Sequence, residues 1–209
     1  ANLERLSEIT CTLDSHLPLQ IFFAPFWVDR DGAPLTPHRT VTAADIRSGE
    51  AAPHPDIARA VGAPDAAWLG RQCAYYCEQL EANGRYTLYL WPPHVLVGGD
   101  GHALAGVIQE ARLFHAWARG ARNGLEIKGL HPLSENYSVF SPEVLLTHDG
   151  SSLASRNGAL IDALLAEDRL VVAGQASSHC VKSSIDDLLS AILERDPSLA
   201  RKVYILEDG

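Results

Sequence analysis

Apolar positions along the chain change period several times, and the changes outline strands alternating with helices. Ile9 to Leu13 reads as a short strand that ends at Asp14-Ser15-His16. Ala66 to Asn83 has helical spacing, with Gly84 placed as the residue that stops it. Tyr86 to Leu90 is a strand running into Trp91-Pro92-Pro93-His94, and Gly98-Gly99-Asp100-Gly101 turns the chain into a helix from about Ala103 to Ala121. Val107, Ile108, Ala111, Phe114 and Trp117 form the apolar side of that helix. Leu125 to Gly129 is a short strand carrying Lys128, and Ser151 to Ala166 is helical. In Arg169 to Ala173 the run Leu170-Val171-Val172-Ala173 does not alternate, which suits a parallel strand covered on both faces. Beyond Cys180 the apolar residues return to helical spacing at Val181, Ile185, Leu188, Leu189 and Ile192, and Val203 to Leu206 forms a last strand. Alternation of this kind predicts an α/β fold, a three-layer sandwich with a mostly parallel central sheet and helices on both faces.

One stretch breaks the rhythm. Residues 17–66 hold Pro34, Pro37, Pro53, Pro55 and Pro64 and few periodic segments, the pattern of a long insertion or lid-like segment. The 209 residues otherwise suit one domain with one full core. A net charge of -9 supplies no basic stripe, so nucleic acid is not an expected partner. No apolar run is long enough to span a bilayer, and no membrane partner is expected. Four cysteines are too few for a disulfide scaffold, so a reducing, cytoplasmic setting is expected, with Cys73 and Cys77 packing on one helix face. The sequence has no methionine and opens Ala-Asn-Leu-Glu, and both features point to part of a longer protein.

Candidate chemistry gathers where strands end. Cys180 follows a strand and the turn Gly174-Gln175-Ala176-Ser177-Ser178-His179, in the first turn of a helix. The positive end of a helix dipole favours thiolate, and ligands of open α/β sheets collect at that edge. Asp14 and His16, His94 and Lys128 are expected at the same edge. Asp-x-His with a distant His is a carboxylate and imidazole set that suits a divalent metal, and a lysine beside a cysteine favours its thiolate. Gly174 and the small residues after it allow backbone amides to converge on an oxyanion.

With these segments in order, the chain resembles the isochorismatase-like cysteine hydrolases, and within them the nicotinamidases. Asp14-Ser15-His16 with Gln20 is similar to the family's Asp-Trp-His-Pro-x-x-His loop, with Gln20 standing where the family has histidine. Trp91-Pro92-Pro93-His94, followed by Gly98 and Gly101, resembles its Trp-Pro-x-His-Cys-x-x-Gly-Thr-x-Gly segment. Lys128-Gly129 and Glu135-Asn136-Tyr137-Ser138-Val139-Phe140 resemble Lys-Gly and Asp-Ser-Tyr-Ser-x-Phe, and Gly174 to Val181 resembles Gly-x-Ala-Thr-Asp-x-Cys-Val.

The resemblance implies a carboxamide hydrolase that converts nicotinamide to nicotinate and ammonia through a thioester on Cys180. Lys128 supports the thiolate, and the amides of Ala176 and Cys180 form the oxyanion hole beside a cis peptide at Gln175-Ala176. Asp14, His16 and His94 hold a divalent metal, zinc first, with iron or manganese as alternatives. Trp91, Gln175 and Tyr137 receive the small-molecule carboxamide, and a homo-oligomer is compatible with the fold. The family's Asp-x-Gln-x-Asp-Phe strand, bearing its catalytic aspartate, is expected upstream of residue 1. Two other readings stand beside this one: a cysteine hydrolase of another small amide or carbamoyl compound, and a non-catalytic binding or assembly module of the same fold.

Overall fold

The structure is a computed structural model and describes residues 3–84 and 86–207. Eight strands and five helices of the α type alternate along the described chain. They are β1 (Ile9–Asp14), β2 (Trp27–Val28), β3 (Thr40–Val41), α1 (Ala43–Ser48), β4 (Ala52–Pro53), α2 (Ala66–Ala82), β5 (Leu88–Tyr89), α3 (Gly106–Arg119), β6 (Asn123–Lys128), α4 (Gly158–Ala166), β7 (Leu170–Val172), α5 (Cys180–Arg195) and β8 (Val203–Ile205).

The architecture is mixed α/β. The strands pair in four two-stranded ladders, β1 with β6 and β7 with β8 parallel and β2 with β4 and β3 with β5 antiparallel, beside isolated bridges such as His16 with Leu96 and Phe23 with Trp91. The two parallel ladders stand where one mostly parallel central sheet was expected. Their faces show the difference: Val171, in the run read as covered on both sides, is 62% exposed, and Ile127 on β6 is 52% exposed.

Two clusters form the interior. The larger takes Ile21, Phe22, Phe23, Phe26, Trp27, Val41, Leu88 and Leu90, with α2 laid against them. Helix α2 starts because the Asp65 carboxylate accepts from the Trp68 amide at 2.7 Å, which satisfies a donor the helix cannot. Its buried residues Leu69, Cys73, Tyr76, Cys77 and Leu80 recur at helical spacing and form one stripe. Cys73 and Cys77 are therefore packing residues. The proline-rich stretch 17–66 is built into this cluster, with the Trp27 indole N–H donating to Ile21 O at 2.6 Å. The smaller cluster joins Phe140 to Leu160, Ile161 and Leu165 of α4 and to Leu188 and Ile192 of α5.

Helix α3 departs from its periodicity. Phe114 and Trp117, on the side read as apolar, are 62% and 78% exposed, whereas Arg112 and His115 are buried. The polar face turns inward because it finds acceptors there. Arg112 donates to Gly124 O at 3.1 Å, and His115 Nε2 lies 3.0 Å from Leu6 O.

Burial gives a direct check. Leu69→Ala is expected to cost about 2–5 kcal/mol in urea denaturation, because it empties a closed site in the larger cluster. Trp117→Ala is expected to stay within about 0.5 kcal/mol of wild type, since the indole is mostly in water. A large loss at Trp117 would show that this face of α3 is covered.

Candidate functional site

The parallel register of β1 and β6 sets Asp14 opposite Lys128 at the carboxyl ends of both strands. Lys128 is buried, and a buried ammonium needs a partner for each of its donors. Its Nζ donates to the Asp14 carboxylate, to Asn136 O at 2.8 Å and toward Cys180 Sγ at 3.6 Å. One cation thus joins three segments that are remote in sequence.

The chain beyond Asp14 is held on both sides. The Ser15 amide donates to Lys128 O at 2.9 Å, and the His16 amide to Val95 O at 3.1 Å. Gly129 has φ of +91°, and a Cβ there would meet the His16 ring at 3.0 Å, so only glycine lets His16 lie against this turn. Gln20, at the motif's second histidine position, is fully buried and donates its amide to Gly129 O at 2.6 Å.

Cys180 opens α5. Ahead of it Gly174 has φ of +142°, and the Gln175–Ala176 peptide is cis, as the resemblance implied. The His179 and Val181 amides both donate to Ala176 O, at 3.1 and 3.2 Å. No backbone carbonyl among the described residues accepts from the Ala176 or Cys180 amide.

These groups surround a cavity of about 330 Å³. Asp14, His16, Trp91, His94, Lys128, Tyr137, Ala176 and Cys180 all line it, so the structure brings together every candidate residue except Gln175, which is exposed beside Ala176. Glu135, Asn136 and His179 line it too and were not singled out from the sequence. Glu135 lay within a quoted motif, but its burial comes from distant segments that its polar sequence neighbours do not reveal. Asn136 acts through its carbonyl, which no side-chain pattern reveals.

Opposed influences meet at the thiol. Burial pushes the Cys180 thiol above its ordinary range; Lys128 acts to lower it and Asp14 to raise it again. Burial also pushes the Glu135 carboxyl up to about 8, even though the Tyr86 hydroxyl donates to it at 2.8 Å. The Tyr137 phenol is pushed well up, first by burial and then by Glu135.

The imidazoles of His16 and His94 stand edge to face, with centroids 4.9 Å apart. Each turns Nδ1 toward a backbone carbonyl, His16 to His94 O at 3.1 Å and His94 to Pro92 O at 2.8 Å. That leaves both Nε2 atoms as acceptors, the form in which imidazole binds metals. The third expected ligand, Asp14, has one carboxylate oxygen paired with Lys128. Among the described residues no group of three or more His, Cys, Asp or Glu side chains is arranged to hold a metal ion. The set does not fit a three-ligand protein site.

Solved structures share this arrangement of elements. Two structures of the yeast nicotinamidase superpose with TM-scores of 0.50 and 0.52 at 14% and 15% identity, each over 98% of this chain and 82% of the other. The fold is that of the nicotinamidases. One of the two yeast structures is bound to the inhibitor nicotinaldehyde. An Acinetobacter baumanii nicotinamidase gives a TM-score of 0.48 at 16% identity, over 91% of this chain and 68% of that one. The resemblance to the isochorismatase-like hydrolases therefore holds at the level of fold. No family model matches the chain, and no curated protein matches it in sequence.

Glu135 supplies a test of the site's electrostatics. Its folded value of about 8 lies above the ordinary 4.5, so the folded protein keeps a proton that the unfolded chain releases. Stability from this group is full below the ordinary value and is lost as pH rises through the folded one. Urea denaturation between pH 5 and 8 is expected to show stability falling by up to about 1.4 kcal/mol per pH unit from this group. Glu135→Gln, always neutral, should remove that slope. An unchanged slope in the variant would place the titration elsewhere.

Proposed function

We propose that the chain is a nicotinamidase-like cysteine hydrolase of small aromatic carboxamides, nicotinamide first among them. The observation that carries this reading is the meeting of thiol, ammonium and carboxylate at one side of the inner cavity. An amide is a poor electrophile and a neutral thiol a poor nucleophile, so attack requires a base beside the sulfur.

In the proposed reaction Asp14 takes the Cys180 proton as Sγ bonds to the amide carbon. Lys128 balances the one negative charge, which passes from carboxylate to sulfur and then to the carbonyl oxygen. The carbonyl oxygen turns its developing charge toward the amides of Ala176 and Cys180. The proton passes from Asp14 to the amide nitrogen, the C–N bond breaks and ammonia leaves. Water then attacks the thioester, giving up one proton through Asp14 to the departing sulfur, and the acid is released with the thiol restored. Trp91 and Tyr137 flank the ring and hold the carbonyl at attacking distance. No step runs through a metal ion, since the residues present do not complete a site for one.

The setting fits the chemistry. All four cysteines are free, as a reducing, cytoplasmic compartment keeps them. No described helix is long and apolar enough to cross a membrane. The partner in this reading is the small carboxamide alone.

Ammonia release from nicotinamide tests the reading. Cys180→Ala should fall to background, and Asp14→Asn should lower kcat by about 10²–10⁴-fold. Added zinc or manganese should restore neither. Recovery of Asp14→Asn with metal would make Asp14 a ligand rather than a base. Turnover of other small amides but not nicotinamide would shift the substrate within the same chemistry.

A further inference from the structure

Ser15 stands between two residues of the inner cavity and points away from it. Asp14 and His16 line that cavity and Ser15 does not, as alternation along an extended chain requires. The Ser15 side chain is fully buried behind the strand end, where a hydroxyl needs a partner. His102 supplies one, with Nε2 2.6 Å from Ser15 Oγ. The other neighbour is Leu13 O, at 3.4 Å. No step of the proposed reaction uses His102, and it does not line the inner cavity.

A short strap carries His102 to this place. After β1 the chain pairs with the segment beyond His94: the His16 amide donates to Val95 O, and the Val97 amide donates to His16 O at 3.0 Å. Two turns follow, closed by the Gly99 amide on Leu96 O and the His102 amide on Gly99 O, each at 2.9 Å. They bring the imidazole back to Ser15. Val95 has φ of +49°, a left-handed conformation that a β-branched residue keeps only where its surroundings hold it. Backbone bonds to His16 hold the strap at that end, and the His102 side chain holds it at the other.

We infer that His102 is a positioning residue for Asp14, gripping Ser15 from behind and keeping the end of β1 closed against β6. The inference rests on the hydrolase reading, in which Asp14 is the base. A ladder opens first at its ends, and the bond that closes this one is the Ser15 amide on Lys128 O, at 2.9 Å. Asp14 is the residue just before it, and its carboxylate must stay on Lys128 beside Cys180. Without the imidazole the buried hydroxyl keeps only the long contact to Leu13 O, and turning it toward water opens the closing bond. Trp91, which flanks the substrate ring, is held by a separate bond from its amide to Phe22 O at 2.7 Å. The effect therefore falls on turnover rather than on binding.

Hydrogen exchange and kinetics test the role together. In His102→Ala the Ser15 and His16 amides should exchange about tenfold or more faster than in wild type, and the Cys11 amide, inside the ladder, should change little. Ammonia release from nicotinamide should lose about tenfold or more in kcat, with KM within about threefold. His102→Gln, whose side-chain amide reaches about as far as Nε2, should recover most of both. Leu69→Ala, which weakens the larger cluster away from the strap, should keep kcat within about threefold of wild type. Unchanged exchange at Ser15 and His16, a loss of kcat as large in Leu69→Ala, or a Gln variant no better than the Ala one overturns the positioning role. If wild type releases ammonia from neither nicotinamide nor other small amides, the hydrolase reading fails, while the exchange rates still decide whether His102 holds the strand end.

Discussion

The placement of the Lys128 ammonium is the constraint on which the rest of the site depends. A buried cation cannot be left unpaired, so the fold must bring acceptors to it. The β1–β6 register delivers the Asp14 carboxylate, the loop after β6 delivers Asn136 O, and the start of α5 delivers Cys180 Sγ. Such a pair is poor evidence of net stabilisation, because taking both charges out of water offsets much of their attraction. What it supplies is position. Any other register of β1 against β6 would separate carboxylate from ammonium and leave a buried charge alone. The chemistry of the site and the pairing of the ladder are therefore fixed together.

That pairing also sets the resting charge of the inner cavity. Asp14 balances Lys128, and burial pushes both the Cys180 thiol and the Glu135 carboxyl toward their uncharged forms. The walls are the aromatic rings of Trp91 and Tyr137. A cavity so balanced suits an uncharged amide better than an anion or a cation, which would face an unscreened partner of one sign or the other. In the proposed reaction charge separation is confined to the moment of attack, when groups already in place receive it.

The sequence made much of this legible, for reasons that can be named. Strand ends and helix starts are marked by local residues, so Asp14, His94, Lys128 and Cys180 could be assigned to one edge before their partners were known. α2 ran true because its stripe and its Asp65 cap are local features. Pairing between distant strands is not local, which is why one continuous sheet was expected where two parallel ladders are found. The same holds for α3, whose periodicity could not show that Arg112 and His115 find carbonyls on the inner side. Asp14 was singled out by its spacing to His16, but its pairing with Lys128 comes from the strand beside it. No pattern in one segment reveals a neighbour that arrives from residue 128.

The two interior clusters hold opposite halves of the site. Trp91 packs on the larger cluster, and the His16 ring lies against Phe22 and Phe23 of that same cluster. Cys180 belongs to α5, whose Leu188 and Ile192 are buried in the smaller one. Lys128 reaches across this boundary, since its contacts with Asp14 and Cys180 fall on opposite sides of it. Each cluster can fix its own half through ordinary packing, but neither fixes the distance from thiol to carboxylate. That distance is set by a single ammonium held between a carboxylate and a sulfur, which ties the geometry of the site to electrostatics rather than to core packing.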